Sequence, residues 1–205
     1  MTKAVWGVGI RLAGAGGLVL ASVSCGSLTR QGTSSAYLII SSIEAAPGGP
    51  TVGAFASVLQ SDVVFVTKSG AATIFSDPGR VTFALGLKDP GSSTSPATPT
   101  QNNFITVNRY HVRYIRADGH NIEGVDVPYA FDDAFTVTVS GTASAGFVLV
   151  RNQAKQEAPL SALAFNPIVV STIAEVTFYG HDQTGREVSA VGNVSVSFAN
   201  FADVQ

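Results

Sequence analysis

Three basic residues alternate along one stretch of the sequence, at Arg109, His111 and Arg113. In an extended strand, alternate side chains lie on the same face at a spacing of about 6.6–6.8 Å. A row of cations at this spacing can bind an anionic ligand, such as a lipid head group or an acidic glycan. The competing interpretation is the solvated face of a strand, where acidic neighbours on adjacent strands neutralise the charges. We take these residues as the candidate ligand-binding face and predict that they are solvent-exposed on one side of a sheet.

Metal-binding patterns are weak in this sequence. Carboxylates are densest between 123 and 133, where a loop could hold Ca²⁺, but the D-x-[DN]-x-[DN]-G spacing is missing. The residues concerned are Glu123, Asp126, Asp132 and Asp133. The three histidines, at 111, 120 and 181, are far apart and form no H-x-H or H-E-x-x-H pair, so zinc chemistry is unsupported. We predict no metal site and no cofactor.

A nucleophilic serine is also poorly supported. Ser144, between Gly141 and Gly146, superficially resembles a nucleophile elbow, but the first glycine is one residue too far away. The surrounding pattern leads from a turn into a strand, whereas the elbow joins a strand to a helix. We predict no catalytic residues and no enzymatic activity. An enzyme whose residues meet only in the folded chain is the alternative.

Residues 1–24 have the pattern of an export signal. Lys3 and Arg11 supply positive charge, and residues 12–24 form an uncharged, mostly apolar stretch that ends in small residues. That stretch is shorter than a transmembrane helix, which needs about 20 apolar residues. No later segment of the sequence is long and apolar enough to span a bilayer. We expect residues 1–24 to be removed on export.

The only cysteine of the chain, Cys25, lies where this apolar stretch ends. With Ser24 before it and Gly26 after it, the site resembles a bacterial lipobox, although Ser22 stands where that motif usually has leucine. The resemblance implies that Cys25 is lipidated and becomes the new amino terminus, with residues 25–35 as a flexible tether. The alternative is an ordinary secretory signal followed by an incidental cysteine.

The composition favours a small exported β domain and argues against a nucleic-acid partner. The 205 residues are 45% hydrophobic and 13% charged, which is too apolar for a disordered chain. Residues 1–24 contain two basic and no acidic residues, so their removal leaves ten basic and fourteen acidic residues, a formal charge of −4. A polyanion-binding protein normally carries the opposite charge.

The basic row lies on a strand that we predict over 104–116. Its apolar residues change parity midway, which a β-bulge near Asn108 or Arg109 would produce. Ile105 and Val107 occupy odd-numbered positions, whereas Tyr110, Val112 and Tyr114 occupy even-numbered positions. The bulge would turn all of them toward one core.

Turn residues divide the rest of the chain into short strands. Two Asp-Pro-Gly triplets, at 77–79 and 89–91, predict turns because proline presets φ and glycine supplies positive φ. Residues 89–103 hold three prolines and no hydrophobic residue larger than alanine, and they predict a long exposed loop. Residues 182–185 predict the last hairpin turn. Alternating runs at short intervals, with no helical period between them, indicate an antiparallel sandwich.

The C-terminal sequence carries a family resemblance. AEVTFYGHDQTGREV at 174–188, leading to NVSVSF at 193–198, resembles the final hairpin of bacterial immunoglobulin-like domains. The whole chain is also similar in layout to uncharacterised bacterial lipoproteins. These resemblances imply an all-β, antiparallel immunoglobulin-like sandwich over residues 36–205, and no activity. Alternation within the hairpin predicts that four side chains point inward together, those of Val176, Phe178, Val196 and Phe198.

The sequence thus favours a non-enzymatic, lipid-tethered interaction or structural module of the bacterial cell envelope. The expected partners are the membrane, through the lipid anchor, and an envelope protein or a glycan. One alternative is a glycan- or lipid-binding module that uses the basic strand face. The other is an envelope enzyme whose site is not visible in the sequence.

Overall fold

The computed structural model describes residues 33–201. The predicted signal segment, Cys25 and the tether up to residue 32 lie outside this range. Among the described residues, no helix has the length and apolarity needed to cross a membrane. The strands are β1 (Ala36–Ala45), β2 (Val58–Asp62), β3 (Phe65–Val66), β4 (Ala72–Thr73), β5 (Asp77–Leu87), β6 (Gly91–Ser92), β7 (Ser95–Pro96), β8 (Ile105–Ile115), β9 (Phe131–Asp133), β10 (Val137–Val139), β11 (Thr142–Val150), β12 (Val170–Asp182) and β13 (Glu187–Ala199). Helix α1 spans Asn152–Gln156, and two 3₁₀ helices span Gln101–Asn103 and Leu160–Phe165.

Two sheets face each other across one core. The first has the strand order β1-β5-β11, and the second has the order β10-β8-β12-β13-β2, with β9 also paired to β8. Pairing in both is antiparallel except for β13 with β2. The rings of Phe83 and Phe178, one from each sheet, meet edge to face with centroids 5.1 Å apart. The predicted all-β sandwich is confirmed, while the closer resemblance to immunoglobulin-like domains stays a prediction.

The predicted bulge in β8 is present at Asn108. Arg109 pairs with Tyr179 of β12, whereas Val107 pairs with Gly180, so Asn108 has no partner across the ladder. A Cβ at position 180 would lie 2.5 Å from the Thr106 carbonyl oxygen, which explains the glycine opposite the bulge. The extra residue resets the alternation and turns the apolar residues on both sides of it into the core.

The last hairpin has the predicted register. Val176, Phe178, Val196 and Phe198 are all at most 1% exposed. At the turn, the Oδ1 atom of Asp182 accepts bonds from the Thr184 and Arg186 amides at 2.9 and 3.0 Å, and Gly185 has a φ of 83°. Burial would raise the pKa of Asp182, but hydrogen bonds from Thr184 and Arg186 outweigh it and hold that pKa below its ordinary value.

The turn prediction for the first Asp-Pro-Gly triplet is wrong. Asp77, Pro78 and Gly79 are the first residues of β5, and Asp77 is fully buried. Pro78 is tolerated because it lies near the start of the strand, beside a register shift in β11 between Val148 and Val150. A Cβ at Gly79 would lie 2.4 Å from the Phe147 ring, so the glycine is needed for packing rather than for a turn.

The second triplet does form a turn. Gly91 has a φ of 74°, and its amide donates to Asp89 Oδ1 at 3.0 Å. Residues 89–102 are all exposed, as predicted, but the segment is not structureless. It folds into the β6–β7 hairpin and a 3₁₀ turn, and Asn103 Nδ2 donates to Ser35 Oγ at 2.8 Å.

Candidate functional site

The bulge in β8 decides which way the basic row points. Because it turns Tyr110, Val112 and Tyr114 inward, the intervening Arg109, His111 and Arg113 lie on the outer face of the second sheet. Arg109 and Arg113 are exposed and His111 is half-buried. The structure therefore brings the three predicted residues together on one solvent-facing surface.

Two of the three have acidic partners on neighbouring strands. Arg113 Nε donates to Glu175 Oε1 at 2.7 Å, and this bond and the carboxylate charge raise the pKa of the Arg113 guanidinium above its ordinary value. His111 Nδ1 lies 3.3 Å from Asp132 Oδ1. For these two positions the structure agrees with the alternative interpretation, a strand face with acidic neighbours on adjacent strands.

Arg109 has an aromatic partner where His111 and Arg113 have acidic ones. Its guanidinium carbon lies 4.4 Å from the centre of the Tyr179 ring, which is opposite it on β12. Within residues 33–201 no carboxylate lies within ion-pair distance of Arg109. Stacking on the ring orients the guanidinium through its face and leaves its N–H groups available at the edge.

A cleft of about 840 Å³ lies next to this arginine. Its lining mixes polar and apolar groups in about equal measure, and besides the Arg109 guanidinium it includes one carboxylate, that of Glu187. The lining residues are Asn108, Arg109, Ala134, Tyr179, Gly180, His181, Gly185, Glu187, Val188 and Ser189. A planar guanidinium can bind a carboxylate or phosphate through two parallel N–H bonds, and the neighbouring amide and hydroxyl groups can bind sugar hydroxyls.

Ser144 and the carboxylates of the 123–133 segment do not come together into one site within residues 33–201. Ser144 lies within β11, and its Oγ is 3.0 Å from Thr82 Oγ1 on β5. Asp126 accepts a bond from the Ile122 amide, and Asp133 accepts one from the Tyr110 hydroxyl. In the part of the chain that the structure describes, no group of three or more His, Cys, Asp or Glu residues could hold a metal ion.

The structure contains a buried ion pair that the sequence did not predict. Lys155 Nζ, on α1, lies 2.9 Å from Asp77 Oδ1, and both side chains are at most 1% exposed. Asp77 also accepts bonds from Ser61 Oγ at 2.5 Å and from the Gly48 amide at 2.8 Å. Burial raises the pKa of Asp77, although the charge of Lys155 opposes the rise.

This pair has a structural role, since it joins α1 to the first residue of β5 and does not line the cleft beside Arg109. No sequence pattern links the two residues, because they are 78 positions apart and each belongs to an ordinary local motif.

Comparison of the chain with protein-family models gives no match, and no curated protein matches it.

Proposed function

We propose that this chain is a non-enzymatic, lipid-tethered binding module of the bacterial cell envelope that binds an acidic glycan through Arg109. The export pattern of residues 1–24 and the lipobox-like site at Cys25 support the address. The outer face of the second sheet supports the binding role. An anchored sandwich with a cleft on one sheet face suits capture of a ligand outside the cell.

The observation that carries the binding role is the difference between Arg109 and Arg113. Both lie on the same face of β8, but Arg113 is paired with Glu175, whereas Arg109 stacks on the Tyr179 ring and forms no ion pair among residues 33–201. An unpaired guanidinium next to a cleft can take a ligand carboxylate without first breaking an ion pair. The surrounding Asn108 and Ser189 side chains favour a hydroxyl-rich ligand over a lipid head group.

Substitution of Arg109 tests this proposal. Arg109→Ala is expected to weaken binding of an acidic glycan by about tenfold or more, because a hydrogen bond to a charged group contributes about 1.5–3 kcal/mol. Binding should also weaken as salt is raised, since the site is exposed. Titration of the purified protein with polyuronate oligosaccharides, followed by calorimetry, provides the measurement.

Arg113→Ala is the matched control, because it removes the same side chain from the same strand face. It should change the affinity by less than about threefold, since Arg113 is held by Glu175. Equal losses in the two variants, or equal binding of neutral and acidic oligosaccharides, would contradict the proposal. Binding of anionic vesicles in preference to the oligosaccharides would replace the glycan with a lipid head group.

The anchor is tested at Cys25. Cys25→Ser is expected to release the protein from membranes or to stall its processing, because buried acyl chains supply about 0.8 kcal/mol of anchoring free energy per methylene. Mass spectrometry of the mature amino terminus measures the modification directly. An unmodified terminus at any other residue would exclude the lipid anchor while leaving export by an ordinary signal.

A further inference from the structure

A second cation stacked on a tyrosine ring lies on the first sheet. Lys88 directly follows β5, and its Nζ atom lies 5.1 Å from the centre of the Tyr37 ring on β1. Lys88 is exposed, and Tyr37 is 56% exposed. Within residues 33–201 no carboxylate lies within ion-pair distance of Lys88. The arrangement repeats that of Arg109 on the Tyr179 ring.

The backbone of the two strands holds this second pair in place. Tyr37 pairs with Gly86 across the β1–β5 ladder, and the Lys88 amide donates to the Ser35 carbonyl at 3.0 Å. Gly86 and Lys88 are two residues apart, so the lysine lies on the same face as Tyr37 and diagonal to it. The ammonium is therefore positioned without an ion pair and keeps its donors available to a ligand.

The cleft at Lys88 adjoins the cleft at Arg109. It has a volume of about 200 Å³ and contains both Tyr37 and Lys88. Its lining also includes Glu187, Val188 and Ser189, and these three residues line the Arg109 cleft as well. The two clefts therefore meet at the start of β13.

The distance across this surface exceeds the length of one sugar ring. Ser189 pairs with Tyr179, and Tyr179 pairs with Arg109, so Arg109 and Ser189 are two strand spacings apart, about 10 Å. Lys88 lines the cleft on the other side of this meeting point. A ligand that contacts both cations must therefore extend over several sugar rings.

A carboxylate stands where the two clefts meet. Glu187 is exposed, lines both clefts, and forms no ion pair in the part of the chain that the structure describes. An ionised carboxylate only accepts hydrogen bonds, so it favours sugar hydroxyls and repels the acid groups of a ligand. The order of charges along this surface thus favours a ligand whose acid groups are separated by hydroxyl groups.

We propose that Lys88 and Tyr37 form a second subsite of the acidic-glycan site, so that the ligand is an oligosaccharide with at least two acid groups. This inference rests on the function proposed above for Arg109. One ligand carboxylate binds the Arg109 guanidinium and another binds the Lys88 ammonium, while hydroxyls between them donate to Glu187. Because both acid groups belong to one molecule, the second contact forms at a high effective concentration and strengthens binding.

Comparison of a short and a long ligand tests the second subsite. The purified protein is titrated with galacturonic acid and with its hexamer, and the chemical shifts of the Tyr179 and Ser189 amides report binding. The hexamer should bind about tenfold more tightly or better. Lys88→Met should weaken binding of the hexamer about threefold or more and leave the affinity for the monomer at the Arg109 end unchanged. Arg109→Ala should weaken binding of both ligands.

Lys68→Met is the matched control. Lys68 is an exposed lysine between β3 and β4 that lines neither cleft, so its substitution changes the net charge equally and should leave both affinities unchanged. Lys88→Met keeps the backbone amide that bonds to Ser35 and an unbranched side chain that packs on Tyr37, so the fold should be retained.

Two kinds of failure are distinguishable in this experiment. Equal effects of Lys88→Met and Lys68→Met on the hexamer, or an advantage of the hexamer that persists in Lys88→Met, would overturn the second subsite and leave the role of Arg109 intact. If neither ligand binds, or if Arg109→Ala changes neither affinity, the proposed function is wrong and the second subsite is wrong with it.

Discussion

Lys155→Met is expected to lower the free energy of unfolding by about 3–5 kcal/mol at neutral pH, because it leaves the buried Asp77 carboxylate without its counter-charge. Ser61 and Gly48 would still donate to that carboxylate, but two neutral donors cannot replace a full charge at a fully buried site. Urea denaturation of the variant and the wild type at matched pH measures the difference.

The destabilisation should depend on pH in a defined direction. Burial raises the pKa of Asp77 in the folded protein even with Lys155 present, and removal of the ammonium raises that pKa further. A folded state with a raised carboxyl pKa binds protons more tightly than the unfolded state, so stability is lost as pH rises through the folded pKa. The variant should therefore recover part of its lost stability as the pH is lowered toward the ordinary Asp range.

A second substitution at the same pair supplies the control. Lys155→Met combined with Asp77→Asn removes both charges and keeps an oxygen that accepts from the Gly48 amide, while the new side-chain NH2 group can donate to the Ser61 hydroxyl. This double variant should be more stable than Lys155→Met alone at neutral pH and should lose the extra pH dependence. A Lys155→Met protein within about 1 kcal/mol of the wild type would show that the pair is not buried as described.

Phe178→Ala is expected to cost about 3–5 kcal/mol, the usual range for deletion of a buried phenylalanine ring. The Phe178 ring is fully buried and lies at the centre of an aromatic cluster that spans both sheets. Its ring centroid is 5.1 Å from that of Phe83 and 5.5 Å from that of Phe147. Deletion would remove these edge-to-face contacts and leave a cavity that the two sheets cannot close.

The adjacent residue of β12, Thr177, provides the control for Phe178. Thr177 is half-buried on the outer face opposite His111, so Thr177→Ala should stay within about 1 kcal/mol of the wild type. Both variants are measured by chemical denaturation under the same conditions. Similar losses at the two positions would mean that the strand register is wrong by one residue.

Features within one strand or one hairpin could be predicted from the sequence. The parity change along β8 predicted a bulge near Asn108 or Arg109, which the structure has at Asn108, and the alternation of β12 and β13 assigned their buried residues. These predictions succeed because the period of side chains along a strand is two, so a local pattern specifies which face is buried. The same period put Arg109, His111 and Arg113 on one face.

Contacts between distant segments were decided only by the tertiary structure. The Asp-Pro-Gly triplet at 77–79 has the composition of a turn, but Asp77 enters the core because Lys155 of α1 meets it from 78 residues away. Glu175 and Asp132 lie beside Arg113 and His111, and only strand pairing shows that Arg109 has no carboxylate within ion-pair distance among the described residues.

The sequence by itself therefore determined the strand periodicity, the last hairpin and the face that carries the basic row. The tertiary structure decided which charged residues have partners and which polar residues are buried. The physical reason is how far apart in the sequence the interacting residues lie. Side-chain alternation is a property of neighbouring residues, whereas ion pairing and burial depend on which segments the folded chain brings together.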